Sequence, residues 1–217
     1  MSSFRSINQI LKGIDVRQCS DLIWFKQSQI GWLPISDEES YSDEYYDHFF
    51  GYRNTPMGKD INDFRVEIVN KYCKDMVIDI GIGSGHFIDQ RGHKNTRGYD
   101  VSSRCRKWLT DRQLLCDPPL FSNALSFWDS LEHIRDFLPM IESVREWVFI
   151  SIPIFKDSDD ILSSRHYKPH EHWWYFTDES IQATFRELGF VMREKSGIEV
   201  QCGRVGVVTY VFQRIIL

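Results

Sequence analysis

The sequence predicts a doubly wound α/β fold: a seven-stranded, mostly parallel sheet closed by an antiparallel C-terminal hairpin. Three observations carry this. From Met76 onward, short buried apolar runs alternate with amphipathic helical patterns. A glycine-rich turn follows the first of those runs. The last two strand patterns are joined by a link too short for a parallel crossover, so they must pair antiparallel.

Taken in order, Ile7, Ile10, Leu11 and Ile14 recur at helical spacing and predict a short amphipathic opening helix. A polar, acidic, tyrosine-rich stretch follows, punctuated by Gly51, Pro56 and Gly58. Ile61, Phe64, Ile68 and Val69 then mark a helix ending near Tyr72. Residues 76–80 (MVIDI) and 97–101 (RGYDV) read as strands, with a helix from near Ser84 between them. A helix over 102–111 follows, N-capped by Ser102 or Ser103. A weak strand is expected at 113–116, a further strand at 123–127, and a fully apolar central one at 147–152. Thr177 and Asp178 cap a helix running to Leu188, with Gly189 at its end. The closing strands FVMREKSG and VGVVTYVFQRI are expected to connect through a polar stretch without a helix. The division is a helical lead-in over 1–72, a candidate cofactor lid, and a core over 73–217.

Composition limits what the chain can be. Its 217 residues suffice for one substantial core, and 42% hydrophobic with 14% aromatic residues is the make-up of a packed domain. A net charge of −5 argues against a nucleic-acid binder. The seven bases within 91–112 read as a solvated helix face, opposite in sign to the six acids within 37–47. Five scattered cysteines, with no paired spacing, fit neither a disulfide framework nor a zinc site and point to a reducing, cytoplasmic setting. No apolar run is long enough to span a membrane.

The chemistry begins at Asp79-Ile-Gly81-Ile-Gly83-Ser-Gly85. Glycines directly after a buried strand let the backbone turn sharply and approach a ligand closely. At the end of the next strand stands Asp100, 19 residues beyond Gly81, where a carboxylate accepts both hydroxyls of an adenosine ribose. His86 occupies the position where a dinucleotide fingerprint wants a third small residue. The acid before the first glycine suits a ligand carrying a sulfonium and an ammonium, and suits a pyrophosphate poorly.

VIDIGIGSGHFID, GYDVS, ALSFWDSLEHI and HWWYFTDESIQATFRELGF together resemble the successive motifs of the class I S-adenosylmethionine-dependent methyltransferases, and are most similar to the ubiquinone-biosynthesis O-methyltransferase-like branch. The resemblance runs over about 76–190. It implies a Rossmann-like fold, S-adenosyl-L-methionine as cofactor, and methyl transfer to an oxygen or nitrogen of a small-molecule or sugar/nucleotide acceptor. It also implies roles. Asp79, Gly81, Gly83 and Gly85 form the methionine-side loop, Asp100 takes the ribose, Val101 flanks the adenine, and Trp128 contacts the cofactor. Tyr45 and Tyr46 become lid candidates.

Catalysis is expected at Asp129-Ser-Leu-Glu132-His133. If Trp128 begins a helix, Asp129, Glu132 and His133 share one face, and His133 serves as general base. Small-RNA ribose methyltransferases carry a similar acid-x-x-Glu-His motif with a later histidine, so Asp129, Glu132, His133 and His172 or His170 form an alternative divalent-metal site. The metal-free base is the expectation, because a long loop separating His133 from His172 must close first. Asp117-Pro118-Pro119 resembles the D-P-P motif of amino-methyltransferases but falls ahead of the fourth strand, with Leu120 where an aromatic belongs, and is read as chance. The aromatic run from His166 to Phe176 is expected to shape the acceptor pocket and part of the core. Other functions kept open are a non-catalytic cofactor-binding module serving a partner, metal-assisted ribose O-methylation of nucleic acid, and aminopropyl transfer.

Overall fold

The computed structural model describes residues 11, 15–35, 47, 50–117 and 121–215. The expected opening helix and the lid tyrosines Tyr45 and Tyr46 lie outside the described residues, apart from Leu11. The strands are β1 (Val16–Cys19), β2 (Leu22–Phe25), β3 (Ile30–Trp32), β4 (Val77–Ile80), β5 (Thr96–Tyr99), β6 (Ala124–Trp128), β7 (Trp147–Phe155), β8 (Trp174–Thr177), β9 (Phe190–Ser196) and β10 (Val207–Arg214). The helices are α1 (Pro56–Tyr72), α2 (His86–Arg91), α3 (Ser103–Asp111), α4 (Leu138–Ser143), α5 (Ser158–Ser163), α6 (Asp178–Glu187) and α7 (Ile198–Gln201), with a 3₁₀ turn at Leu131–His133.

All ten strands join one sheet, in the order β1-β2-β3-β8-β7-β6-β4-β5, with β10 against β7 and β9 against β10. The predicted parallel core is present: β4 pairs in parallel with β5 and β6, and β6 with β7. The C-terminal strands β9 and β10 pair antiparallel as expected. Apolar side chains alternate between the two faces. Val77, Phe149 and Val211 pack under α1 through Ile68 and Val69. Ile78, Val148 and Phe212 face the opposite way, toward Ile141 of α4 and Phe185 of α6.

Helix ends follow local chemistry. Ser102 caps α3 by accepting from Cys105 N–H, and Thr177 caps α6 in a reciprocal box with Ser180. Four elements differ from the sequence reading. Residues 16–32 form an antiparallel three-stranded meander rather than irregular polar chain, and β3 adds it to β8. The strand expected at 113–116 reduces to a single bridge between Leu115 and Gly98. A one-turn helix, α7, interrupts the closing hairpin. Finally, no helix begins at Trp128: β6 runs to that residue and Asp129 adopts a left-handed conformation, φ +57°.

Gly98 of β5 lies beneath the glycine-rich turn. A Cβ there would sit 2.5 Å from Ile82 Cγ2 and 2.8 Å from Ile88 Cδ1. Gly98→Ala is expected to destabilise the fold by about 1–3 kcal/mol, the range for overpacking a tight core. Gly197→Ala, where nothing lies within 4 Å, should be close to neutral. Urea denaturation of the two variants measures the difference.

Candidate active site

The turn after β4 is built by three glycines with three different requirements. All have positive φ, +76° at Gly81, +52° at Gly83 and +68° at Gly85. A Cβ on Gly81 would lie 2.6 Å from Ser130 Cβ, and one on Gly85 would lie 2.8 Å from the Trp108 ring. At Gly83 nothing lies within 4 Å, so this backbone faces open space. Asp100, at the end of β5, accepts from Ser102 N–H at 2.9 Å and from Gly83 N–H at 3.4 Å, tying the two strand ends together. Asp79 is buried on β4 opposite Ser126 of β6, whose hydroxyl donates to it at 2.8 Å. Burial pushes the Asp79 carboxyl up to about 7 despite that hydrogen bond. Burial also raises Asp100, against the opposing backbone donors. Two carboxylates held back from ionising beside an open glycine backbone favour a ligand that brings positive charge. Val101 stands 69% exposed beside Asp100, and Trp128 is buried with its Nε1 unpartnered.

The second half of the site starts two residues beyond Ser130, whose hydroxyl donates to the Ile80 carbonyl at 2.5 Å. The 3₁₀ turn presents Glu132 and His133 to His172, from the segment before β8. The two imidazoles meet edge to face with centroids 4.5 Å apart. One ligand atom from each of Glu132, His133 and His172 lies within 4.8 Å of the others. The segment carrying His172 is stitched in place rather than awaiting closure, contrary to expectation. Trp173 N–H donates to the Glu132 carbonyl at 2.9 Å, and Trp174 Nε1 donates to the carbonyls of Ile134 and Arg135 at 3.1 and 3.2 Å. Burial lowers His133 to about 4, although its ring donates to the Glu171 carbonyl. Burial and then the neighbouring His133 lower His172 well below the ordinary imidazole value. Burial and then Asp129 push Glu132 up to about 8, and its Oε2 has no partner. Asp129 does not share this face. Its two oxygens accept from Arg65 and Arg204, so it is withdrawn from the ligand set expected from the sequence. His170 is exposed and stands apart from the group.

A family model described as "Methyltransferase domain" matches residues 39–195. The chain belongs to that family. It is a class I, S-adenosylmethionine-dependent enzyme. No curated protein matches it. Solved structures share the fold at low identity. Magnesium protoporphyrin IX methyltransferase from Synechocystis PCC 6803, with bound SAH, is 10% identical over 82% of this chain and 98% of its own, with TM-score 0.58. The methyltransferase domain of bacterial-CtHen1-C is 16% identical over 74% and 100%, with TM-score 0.51. Geranyl diphosphate C-methyltransferase from Streptomyces coelicolor A3(2), in complex with Mg²⁺, geranyl diphosphate and S-adenosyl-L-homocysteine, is 14% identical over 83% and 87%, with TM-score 0.52.

In this methyltransferase, sequence reasoning missed Arg65, Glu199 and Arg204, which gather around Asp129 from α1, α7 and the loop before β10. Arg65 lies 64 residues before Asp129 and Arg204 lies 75 after it, so no local signal joins them. Of the aromatic run beyond β7, Trp173, Trp174 and Phe176 are core, with Trp173 packed near Trp32. Among the described residues, no helix is long and apolar enough to cross a membrane.

Two titrations in the cluster act on stability in opposite directions. Folded His133 refuses a proton that the unfolded chain accepts, so stability is lost as pH falls from about 6.5 toward about 4. Folded Glu132 keeps a proton that the unfolded chain releases, so its contribution, full below about 4.5, is lost as pH rises toward about 8. Glu132→Gln should therefore flatten the fall in stability between pH 5 and 8. Denaturant titrations at several pH values measure this, and ring NMR should find His133 neutral at pH 5.5.

Proposed function

We propose that this methyltransferase moves the methyl group of S-adenosylmethionine to a hydroxyl oxygen of a small-molecule or sugar-like acceptor, at a site completed by Glu132, His133 and His172. The observation that carries the reading is the convergence of two neutral imidazoles and one buried, unpartnered carboxyl oxygen beside the Gly81 turn. Bound cofactor supplies an electrophilic methyl on sulfonium. Asp79 pairs with its ammonium, Asp100 accepts its ribose hydroxyls, Val101 flanks the adenine, and the unpartnered Trp128 Nε1 donates toward it. The open face at Gly83 admits the ligand against the backbone. The successive motifs VIDIGIGSGHFID, GYDVS, ALSFWDSLEHI and HWWYFTDESIQATFRELGF support the ubiquinone-biosynthesis O-methyltransferase-like branch. The net charge of −5 supports a small acceptor over a nucleic acid, and five free cysteines support a reducing, cytoplasmic setting.

The donor set also fits a divalent cation. Two imidazoles and a carboxylate suit Mn²⁺, Fe²⁺, Co²⁺ or Zn²⁺, and both imidazoles are already neutral, as ligands must be. The Glu171 carbonyl, which accepts from the His133 ring, orients that imidazole. Held by these three residues, a cation supplies Lewis acidity toward an acceptor hydroxyl. With its proton affinity lowered to about 4, His133 makes a weak base at neutral pH, which favours the cation-assisted reading over His133 acting alone.

Asp100→Ala should weaken S-adenosylhomocysteine binding by about 1.5–3 kcal/mol. Gly83→Val should stay folded by circular dichroism and lose that binding. Calorimetric affinity equal to wild type in both variants would remove the cofactor assignment.

Co²⁺ titration at pH 7 should release about one proton per cation, from Glu132. It should also develop a visible spectrum that His133→Ala and His172→Ala each abolish. If Co²⁺ gives no spectrum and chelator leaves activity unchanged, His133 acts as a metal-free base instead. Label from methyl-tritiated cofactor in a cell extract is expected in the small-molecule fraction. Label confined to RNA would reverse the acceptor class.

A further inference from the structure

Asp129 opens the turn that carries Glu132 and His133, and it does so in the left-handed region that non-glycine residues adopt only occasionally. Something must hold it there. Its N–H donates to the Ser151 carbonyl of β7 at 2.9 Å, which continues the ladder between β6 and β7. Its side chain is then gripped from two directions. Arg204 makes a two-pronged contact, 2.7 Å to each carboxylate oxygen, and Arg65 adds a third bond at 2.9 Å. Both arginines also bind Glu199, which is fully buried and accepts a further hydrogen bond from Ser151 Oγ at 2.7 Å. Ser151 Oγ in turn meets Thr209 Oγ1 of β10 at 2.8 Å. Two cations and two anions balance, so the group carries no net charge.

Stability alone is a weak reason for such a group. Buried ion pairs are often replaced by apolar side chains at no loss, whereas deleting one member leaves an uncompensated charge. What apolar packing would not supply is direction. A planar guanidinium fork fixes both carboxylate oxygens at once and so fixes the Asp129 backbone. Four residues later that backbone delivers His133 to His172. Arg65 also lies 5.0 Å over the ring of Trp128, the residue that leads into the same turn.

We propose that Asp129, clamped by Arg204 and Arg65 over Glu199, is a positioning residue that sets the turn presenting Glu132 and His133 to His172. This rests on the reading of those three side chains as the catalytic group. Asp129 itself touches neither cofactor nor acceptor; it acts through the turn.

The test compares Asp129→Ala, Asp129→Asn and Arg204→Lys by imidazole ¹⁵N NMR, with His86 and His93, which lie outside the Glu132–His133–His172 group, as internal references. Asp129→Ala should shift the ring signals of His133 and His172 and leave those of His86 and His93 in place. S-adenosylhomocysteine affinity should stay within about twofold. Asp129→Asn, which tolerates the left-handed turn, should restore the ring signals most of the way. Co²⁺ affinity should fall by about 10–100-fold in the alanine variant, the range for residues that orient metal ligands. Unchanged His133 and His172 signals in a folded Asp129→Ala protein would overturn the proposal, as would equal shifts at all four rings. Should that variant not fold, Arg204→Lys decides, because lysine keeps the charge and loses the fork: shifted His133 and His172 signals support the clamp, and wild-type signals refute it. Failure of the wild type to bind Co²⁺ would count against the cation alone, since the ring signals report the turn without it.

Discussion

The nine residues of β7 are the constraint on which the rest of the molecule hangs. The first five are held on both sides, by parallel β6 and antiparallel β10; β10 continues alone through Pro153, and the last two residues pass on to pair with β8. A strand so placed must be apolar throughout, and Trp147–Phe155 is buried almost end to end. Because β7 reaches past the end of β6, it carries a second set of strands, β8-β3-β2-β1, beyond the parallel core. The group of Glu132, His133 and His172 lies at that junction. Ser151, near the middle of β7, receives the Asp129 N–H on its carbonyl and binds Glu199 through its hydroxyl.

Cofactor and acceptor halves use one electrostatic idea in two ways. Asp79, Asp100 and Glu132 all sit where burial resists ionisation. Glu132 Oε2 has no hydrogen-bond partner among the described residues. Asp129 is the counter-example. Burial acts on it too, yet Arg204 and Arg65 outweigh that penalty and hold it well below the usual carboxylate range. Carboxylates that are structurally satisfied and carboxylates kept in reserve therefore stand within three residues of each other.

How much of this was legible in the sequence depended on whether the signal was local. The parallel core, the Gly81–Gly85 turn, Asp100, the Ser102 and Thr177 caps and the closing hairpin were all readable, because each is set by neighbours in the chain. The meander β1–β3 was not. Its strands are three or four residues long, and Ser20 and Gln29 take positive φ where a glycine or asparagine would have signalled the turns. The helix expected from Trp128 failed for a related reason. Its i, i+3, i+4 spacing was real, but Asp129 is diverted into a left-handed turn by arginines from distant segments. His172 could be named from sequence. Its contact with His133 could not, because that depends on Trp173 and Trp174 hydrogen-bonding across to the 3₁₀ turn.

The clamp on Asp129 also sets an order of assembly. The turn from Trp128 to His133 belongs to the middle of the chain, and β4, β5 and β6 can pair as soon as they have left the ribosome. Its geometry stays undetermined until Glu199 and Arg204 arrive, some 70 residues later in synthesis. Contacts of that sequence separation form late, since loop closure must precede them. In a nascent chain the Gly81–Gly85 turn can thus form before the segment between β9 and β10 docks on the turn from Trp128 to His133.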